Sequence, residues 1–294
     1  MAEYGSVWLS LHATAHCLEW VDAAGVRTRV LTAGDERAPP LVLLHGTAGS
    51  LENFARNIDV LARHFRVIAF DMLGCGLTDK PEFDYSIPDY ADHAAATMEA
   101  LGIARAQVIG VSLGSWVAAR LAHGRPQVVE RLVMIAPAGI VVDAEEEARV
   151  AAGIRARRGA AAAAPSWSSV KAAMDRLVLD PEALWPDMIA TRLAIYSRPD
   201  MAAAMPRLLA FSLGNQHLTP AEWAGLHLPI LCIAASDAPN MFLTNAYAIA
   251  TAAPNARCVD ISGCDHWAQF EQPDAFHRAV LPFLGIANPE ETLP

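Results

Sequence analysis

The chain predicts an α/β protein whose mainly parallel sheet is flanked by helices, and three features carry that prediction. Short runs that are apolar throughout recur along the sequence, segments of helical period lie between them, and the runs end in Gly, Asp, Ser or Pro. A strand apolar on both faces must be covered on both faces, which is the situation of a parallel sheet between helical layers. The runs are LVLLHG (41–46), RVIAFD (66–71), AQVIGVS (106–112), RLVMIAP (131–137), PILCIAASD (229–237) and RCVDISG (257–263). Between them, LENFARNIDVLARHF, IPDYADHAAATMEALGI and SWVAARLAHG repeat apolar residues at intervals of three and four, and Gly102 in ALGI is a natural C-terminal stop. Regular alternation of this kind builds a parallel sheet wrapped by helices.

The alternation fails between about 138 and 218. AEEEARVAAGIRARRGAAAAAPSWSSVKAAMDRL and PEALWPDMIATRLAIYSRPDMAAAMPRLLAFS are helical, Ala-rich and punctuated by Pro, with no convincing strand. We expect 138–218 to be a helical lid inserted into a core formed by 1–137 and 219–294, with the alanine run 160–164 at a helix end or loop. A length of 294 residues suits one large domain with an insertion.

Composition narrows the partners. Hydrophobic residues make up 53% and charged residues 18%, as in an ordinary globular interior, and the formal charge of -10 repels phosphate backbones and offers no basic stripe to nucleic acid. The apolar runs fall well short of the ~20 residues that span a bilayer. MAEYGSVWLSLHATAHCLEW lacks the basic and apolar regions of a signal peptide, so a cytoplasmic location is expected, away from membranes. Cys17, Cys75, Cys232, Cys258 and Cys264 are odd in number and form no C-x-x-C pair, which argues for free thiols and against a metal site. No P-loop or dinucleotide fingerprint is present, because GCG at 74–76 lacks the G-x-G-x-x-G spacing, and no cofactor is expected. A small-molecule substrate is the default partner, and exposed apolar lid faces would make the protein a homo-oligomer.

Chemistry is concentrated in GVSLGSW (110–116). A serine hydroxyl needs a base within hydrogen-bond reach and donors for the oxyanion, and a strand-to-helix turn with Gly110 and Gly114 two residues either side of Ser112 can display it. A purely structural turn is the competing reading. LLHGTAGS (43–50) ends the first strongly apolar strand and can aim the Thr47 amide into the same pocket. His266, in SGCDHWAQFEQPDAF after the last strand, is the candidate base. Asp237, at the tip of PILCIAASD, is the candidate acid that would fix its tautomer. The order Ser112, Asp237, His266 is that of nucleophile, acid and base in one known architecture.

With DMLGCGLTDKP (71–81) matching D-x-x-G-x-G-x-[ST], the chain resembles the α/β-hydrolases from about residue 26 to residue 285. Serine at 112 argues against haloalkane dehalogenases and epoxide hydrolases, which use Asp there. HWAQFE (266–271) resembles the HWAQ[WF]E segment of the meta-cleavage product hydrolases, which split a carbon–carbon bond in the dienoate left by catechol ring opening. NFARNIDVLARHFRVIAFDMLGCGLTDKP (53–81) and ATRLAIYSRPDM (190–201) are similar to the same group. The resemblance implies Arg192 as the lid residue binding the substrate carboxylate, Trp267 lining the pocket beside His266, Asn53 near the oxyanion site, and the Thr47 and Leu113 amides as the oxyanion hole. Each has a plainer reading: a solvated charge for Arg192, a core aromatic for Trp267, a helix cap for Asn53. The chain departs from the family pattern at Val111, where Asn is usual, at Ser115, where Gly is usual, and at HGTAGS, where the family has H-G-x-G-P-G. It departs again at AASDAPNMF, where the family has G-x-D-D-x-x-x-P and Asp237 occupies the first Asp position. A carboxylesterase or lactonase with the same triad is the alternative activity. A non-hydrolytic binding protein or cofactor-free oxygenase on this fold is the more distant one.

Overall fold

In the computed structural model, which describes residues 5–287, the chain opens with a short helix α1 (Val7–His12) and two strands that the apolar-run criterion passes over. These are β1 (His16–Ala23) and β2 (Val26–Ala33), an antiparallel hairpin. Its two-residue turn, Ala24-Gly25, has positive φ at both positions (55° and 87°), the geometry that matches strand twist, and Asp22 Oδ1 accepts the Gly25 N–H at 2.6 Å. Then follow β3 (Pro40–Leu44), α2 (Ile58–Ala62), β4 (Arg66–Phe70), α3 (Ile87–Ala100), β5 (Ala106–Val111), α4 (Leu113–Gly124) and β6 (Val129–Ile135). All six runs predicted as strands are strands.

One expected helix is broken. LENFARNIDVLARHF forms a single 3-10 turn at Leu51–Phe54 and only five residues of α2. Tertiary partners take the local polar groups: Asp71 Oδ1 accepts the Leu51 N–H, Arg29 grips Glu52 with two hydrogen bonds, and Asn57 Nδ2 donates to Gln269 O.

Between β6 and the next strand the described residues are helical: α5 (Ala144–Ala163), α6 (Trp167–Met174), α7 (Pro186–Tyr196), α8 (Met201–Leu208) and α9 (Pro220–Ala224), with short 3-10 turns among them. Asp143 caps α5 by accepting the Glu145 and Glu146 N–H groups, three glutamates favour the positive end of its dipole, and α5 stops inside the alanine run ahead of Pro165. The strands resume with β7 (Ile230–Ala235), followed by α10 (Met241–Ala252), β8 (Ala256–Ile261), α11 (Ala268–Glu271) and α12 (Pro273–Phe283).

The sheet order is β1-β2-β4-β3-β5-β6-β7-β8. β1, β2 and β4 pair antiparallel in sequence, and every pairing from β4 to β8 is parallel. β5 is buried along its whole length and β3 from Leu41 onward, so the sheet centre anchors the turns that leave their C-terminal ends. Ligands in open α/β sheets bind at that edge. Among the described residues no helix is long and apolar enough to cross a membrane.

Candidate active site

The turn after β5 displays Ser112. Its φ of 54° and ψ of -115° lie outside the ordinary basins, and its N–H is held by Ile135 O at 2.8 Å. A side chain at residue 110 would collide with the backbone at Gly114, and one at residue 114 with the Leu44 carbonyl, so only glycine lets β5 turn this sharply against β3. α4 begins at Leu113 and directs its amide-rich end at the serine.

The turn after β3 is pinned from inside. The fully buried His45 bonds through Nδ1 to Gly46 O at 2.8 Å, while its Nε2 accepts the Met72 N–H at 3.0 Å, an arrangement that requires the neutral Nδ1–H tautomer. Burial pushes its pKa down to about 3, in agreement. Ala48 then turns with φ of 52°. Among the described residues, neither the Thr47 N–H nor the Leu113 N–H has an intramolecular acceptor. Thr47 lines the cavity at Ser112, and so does Leu113, as an oxyanion hole would require.

His266 follows β8 and opens onto the same cavity as Ser112, Asn53, Arg192 and Trp267. Phe242 meets its ring edge-on, with centroids 4.4 Å apart. Burial, assisted by the positive charge of Arg158, pushes the His266 pKa down to about 3, so the ring is a neutral proton acceptor at physiological pH.

Asp237 requires a correction. It was expected against His266, but its Oδ2 accepts the Gly263 N–H at 2.7 Å and its side chain is exposed. The turn after β7, closed by Ala238 N–H to Ala235 O, sends Asp237 outward and buries the next residue, Ala238, at 7% exposure. Asp237 therefore touches the loop that carries His266, three residues ahead of it, and not the imidazole.

HWAQFE works as a buckle to the helical segment between β6 and β7. The Trp267 N–H donates to Leu177 O at 3.0 Å and Gln269 Nε2 reaches Asn53 O at 3.5 Å. The Glu271 carboxylate accepts the N–H groups of Leu179, Asp180 and Asp265. Trp267 is 1% exposed and lines the same compartment as His266. Asn53 caps no helix; its Oδ1 accepts from Arg192 Nη2 at 3.0 Å. Arg192, on α7, is 2% exposed and sits over the Tyr196 ring, so it is no solvated charge.

Two compartments meet at Ser112. One, about 430 Å³, is mainly apolar and includes Leu113, Trp116, Val141, Phe211, Leu213 and Met241. The other, about 80 Å³, holds His266, Trp267 and Asn53 together with Arg157, Arg158, Arg176 and Arg192. Thr47, Ser112, Val150, Ile154 and Phe242 belong to both. Sequence reasoning missed Arg157, Arg158 and Arg176. The available signal was the RARR cluster in an otherwise Ala-rich helix, with Arg158 four residues after Ile154 and hence on its face.

A family model described as the alpha/beta hydrolase fold matches residues 39–273. The chain belongs to the alpha/beta hydrolase family. This hydrolase is 27% identical over 276 residues, 92% of either chain, to the 2-hydroxy-6-oxo-6-(2'-aminophenyl)hexa-2,4-dienoic acid hydrolase of Metapseudomonas resinovorans. It is 30% identical over 267 residues, 85% of its own length and 88% of the relative's, to a 2-hydroxy-6-oxononadienedioate/2-hydroxy-6-oxononatrienedioate hydrolase of a Pseudomonas species. Among solved structures, a 2-hydroxy-6-oxo-6-phenylhexa-2,4-dienoate hydrolase from a Rhodococcus species superposes with a TM-score of 0.81. That match covers 92% of this hydrolase and 99% of the other chain at 22% identity, a likeness of fold. The resemblance read from HWAQFE and from the segments 53–81 and 190–201 thus agrees with relatives that are meta-cleavage product hydrolases.

Proposed function

We propose that this hydrolase cleaves the carbon–carbon bond next to the 6-oxo group of a 2-hydroxy-6-oxo-2,4-dienoate. The observation that carries the reading is the two-part cavity: an arginine-lined compartment and an apolar one flank a displayed serine. A dienoate has the same polarity, acidic at one end and variable at the other. Its carboxylate would face Arg192, and the group on carbon 6 would fill the apolar compartment.

The chemistry follows from the placement. Carbon 5 cannot leave as an unstabilised carbanion, so the enol first ketonises: the 2-hydroxyl gives up its proton and carbon 5 gains one. Neutral His266 accepts and returns that proton. Ser112, or water activated by His266, then attacks carbon 6, with the Thr47 and Leu113 amides receiving the oxyanion; on the serine route a water afterwards hydrolyses the acyl ester left on Ser112, and on either route the departing dienolate oxygen takes up the proton released by the nucleophile. When the bond between carbons 5 and 6 breaks, its electron pair moves through the conjugated system to the 2-oxo group. A carboxylic acid and a 2-hydroxypenta-2,4-dienoate result. Asp237 serves through Gly263 as a positioning residue for the His266 loop.

The test is loss of the yellow colour of a 6-phenyl or 6-alkyl 2-hydroxy-6-oxohexa-2,4-dienoate, with the acid product quantified. Bleaching with stoichiometric acid, reduced at least about a thousandfold in Ser112→Ala, is expected. Absence of bleaching with active ester or lactone turnover would replace this reading by a carboxylesterase or lactonase.

A further inference from the structure

The small compartment holds more positive charge than one carboxylate needs. Arg158 is 7% and Arg192 2% exposed, and neither forms an ion pair among the described residues. Arg158 Nη1 and Arg192 Nε and Nη1 are buried without a hydrogen-bond partner. Arg157 and Arg176 stand exposed at the margin of the same space. The cations act on one another: after burial, the charge of Arg158 lowers the pKa of both Arg157 and Arg192. The acid nearest in effect to Arg192 is Glu52, and both of its oxygens already accept from Arg29. By contrast Arg155, on the same helix as Arg158, donates to the Ser212 carbonyl and hydroxyl. Two buried guanidinium groups with free N–H donors are a strongly unfavourable arrangement until an anion enters.

We propose that this compartment selects a doubly anionic head, with one oxyanion on Arg192 and a second on Arg158. The cavity of about 80 Å³ requires the two oxyanions to be close together. Arg157 and Arg176 attract the head at the rim, and Arg158 sets the preference for two charges over one. The inference rests on the reading that the acidic end of the substrate enters here. The second charge has two chemical sources, an ionised 2-hydroxyl beside the carboxylate or a second carboxylate.

The experiment needs no turnover, so its failure is distinguishable from failure of the carbon–carbon reading. Acetate, oxalate and malonate are titrated calorimetrically into Ser112→Ala, with and without Arg158→Gln. A dianion is expected to bind at least about tenfold more tightly than acetate, the effect of one further charged hydrogen bond. Arg158→Gln should reduce that preference below about threefold while leaving acetate affinity within about threefold. Arg157→Gln, at an exposed position, keeps the test available if Arg158→Gln fails to fold, and should weaken dianion binding about two- to fivefold. The absorption of the bound dienoate assigns the source. A red shift that depends on Arg158 identifies the ionised enol, and dianion preference without it identifies a second carboxylate. Dicarboxylates binding no better than acetate, or a preference that survives both substitutions, would overturn the proposal.

Discussion

Two sets of buried arginines in this molecule are satisfied in opposite ways. Arg29 in the core donates from Nε to Asp71 at 2.7 Å and from Nη1 and Nη2 to Glu52 at 2.8 and 2.9 Å, and Asp71 also accepts the Leu51 and Leu77 amides. That network ties β2 to the D-M-L-G-C-G loop and to the turn leading from β3. Arg158 and Arg192, equally buried, face a cavity and lack acidic partners among the described residues. Burial of a charge is costly in either place. Where the protein supplies the counter-charge, the arginine is architecture; where it leaves the counter-charge out, the arginine awaits a ligand.

The largest separation of the two should come from Arg29→Met. Removing one member of a buried ion-pair network leaves two acids without their cation, and a loss of about 3–5 kcal/mol in chemical-denaturant unfolding is expected. A loss below about 1 kcal/mol would show that the network is solvated and that the contrast is false. Arg192→Gln should do the reverse. Its unfolding free energy should hold or rise, because no ion pair is broken and an uncompensated buried charge is removed, while kcat/KM on a dienoate falls about 10- to 100-fold, the range for a lost charged hydrogen bond.

Arg158→Gln sharpens the comparison through pH. The Arg158 cation helps to hold His266 below its usual range. Removing that charge raises the His266 pKa, so the acidic limb of kcat/KM against pH should move to higher pH. An unmoved limb would mean that the charge is screened from the ring. Asp237→Asn should have the smallest effect. Its contact is the Gly263 amide, which an Asn side-chain oxygen can still accept, so kcat should fall by less than about threefold. A thousandfold fall would restore direct contact with His266 during turnover.

How far each part was legible follows from what packing added. The six central strands were readable because they are apolar on both faces, a property written in consecutive residues. The β1–β2 hairpin was not, because HCLEWVDA is largely exposed and its alternation is interrupted by charges; its Ala24-Gly25 turn was the better signal. Ser112, Thr47 and His266 stand at strand ends, where topology dictates their convergence. Asp237 illustrates the limit, since neighbouring residues at a strand tip face opposite ways and Ala238 took the inward position. Arg158 was hidden for another reason: in a helix with four arginines, composition suggests a solvated surface, and only packing distinguishes the one that turns inward.

The Glu271 buckle has a dynamic meaning. One carboxylate receives two amides from the helical segment between β6 and β7 and one from the residue beside His266. Moving Leu179 and Asp180 away would strip that side chain of two of its three amide donors and loosen its hold at Asp265. One side chain thus spans the two segments, so a displacement at Leu179 and Asp180 would be transmitted to the residue preceding His266.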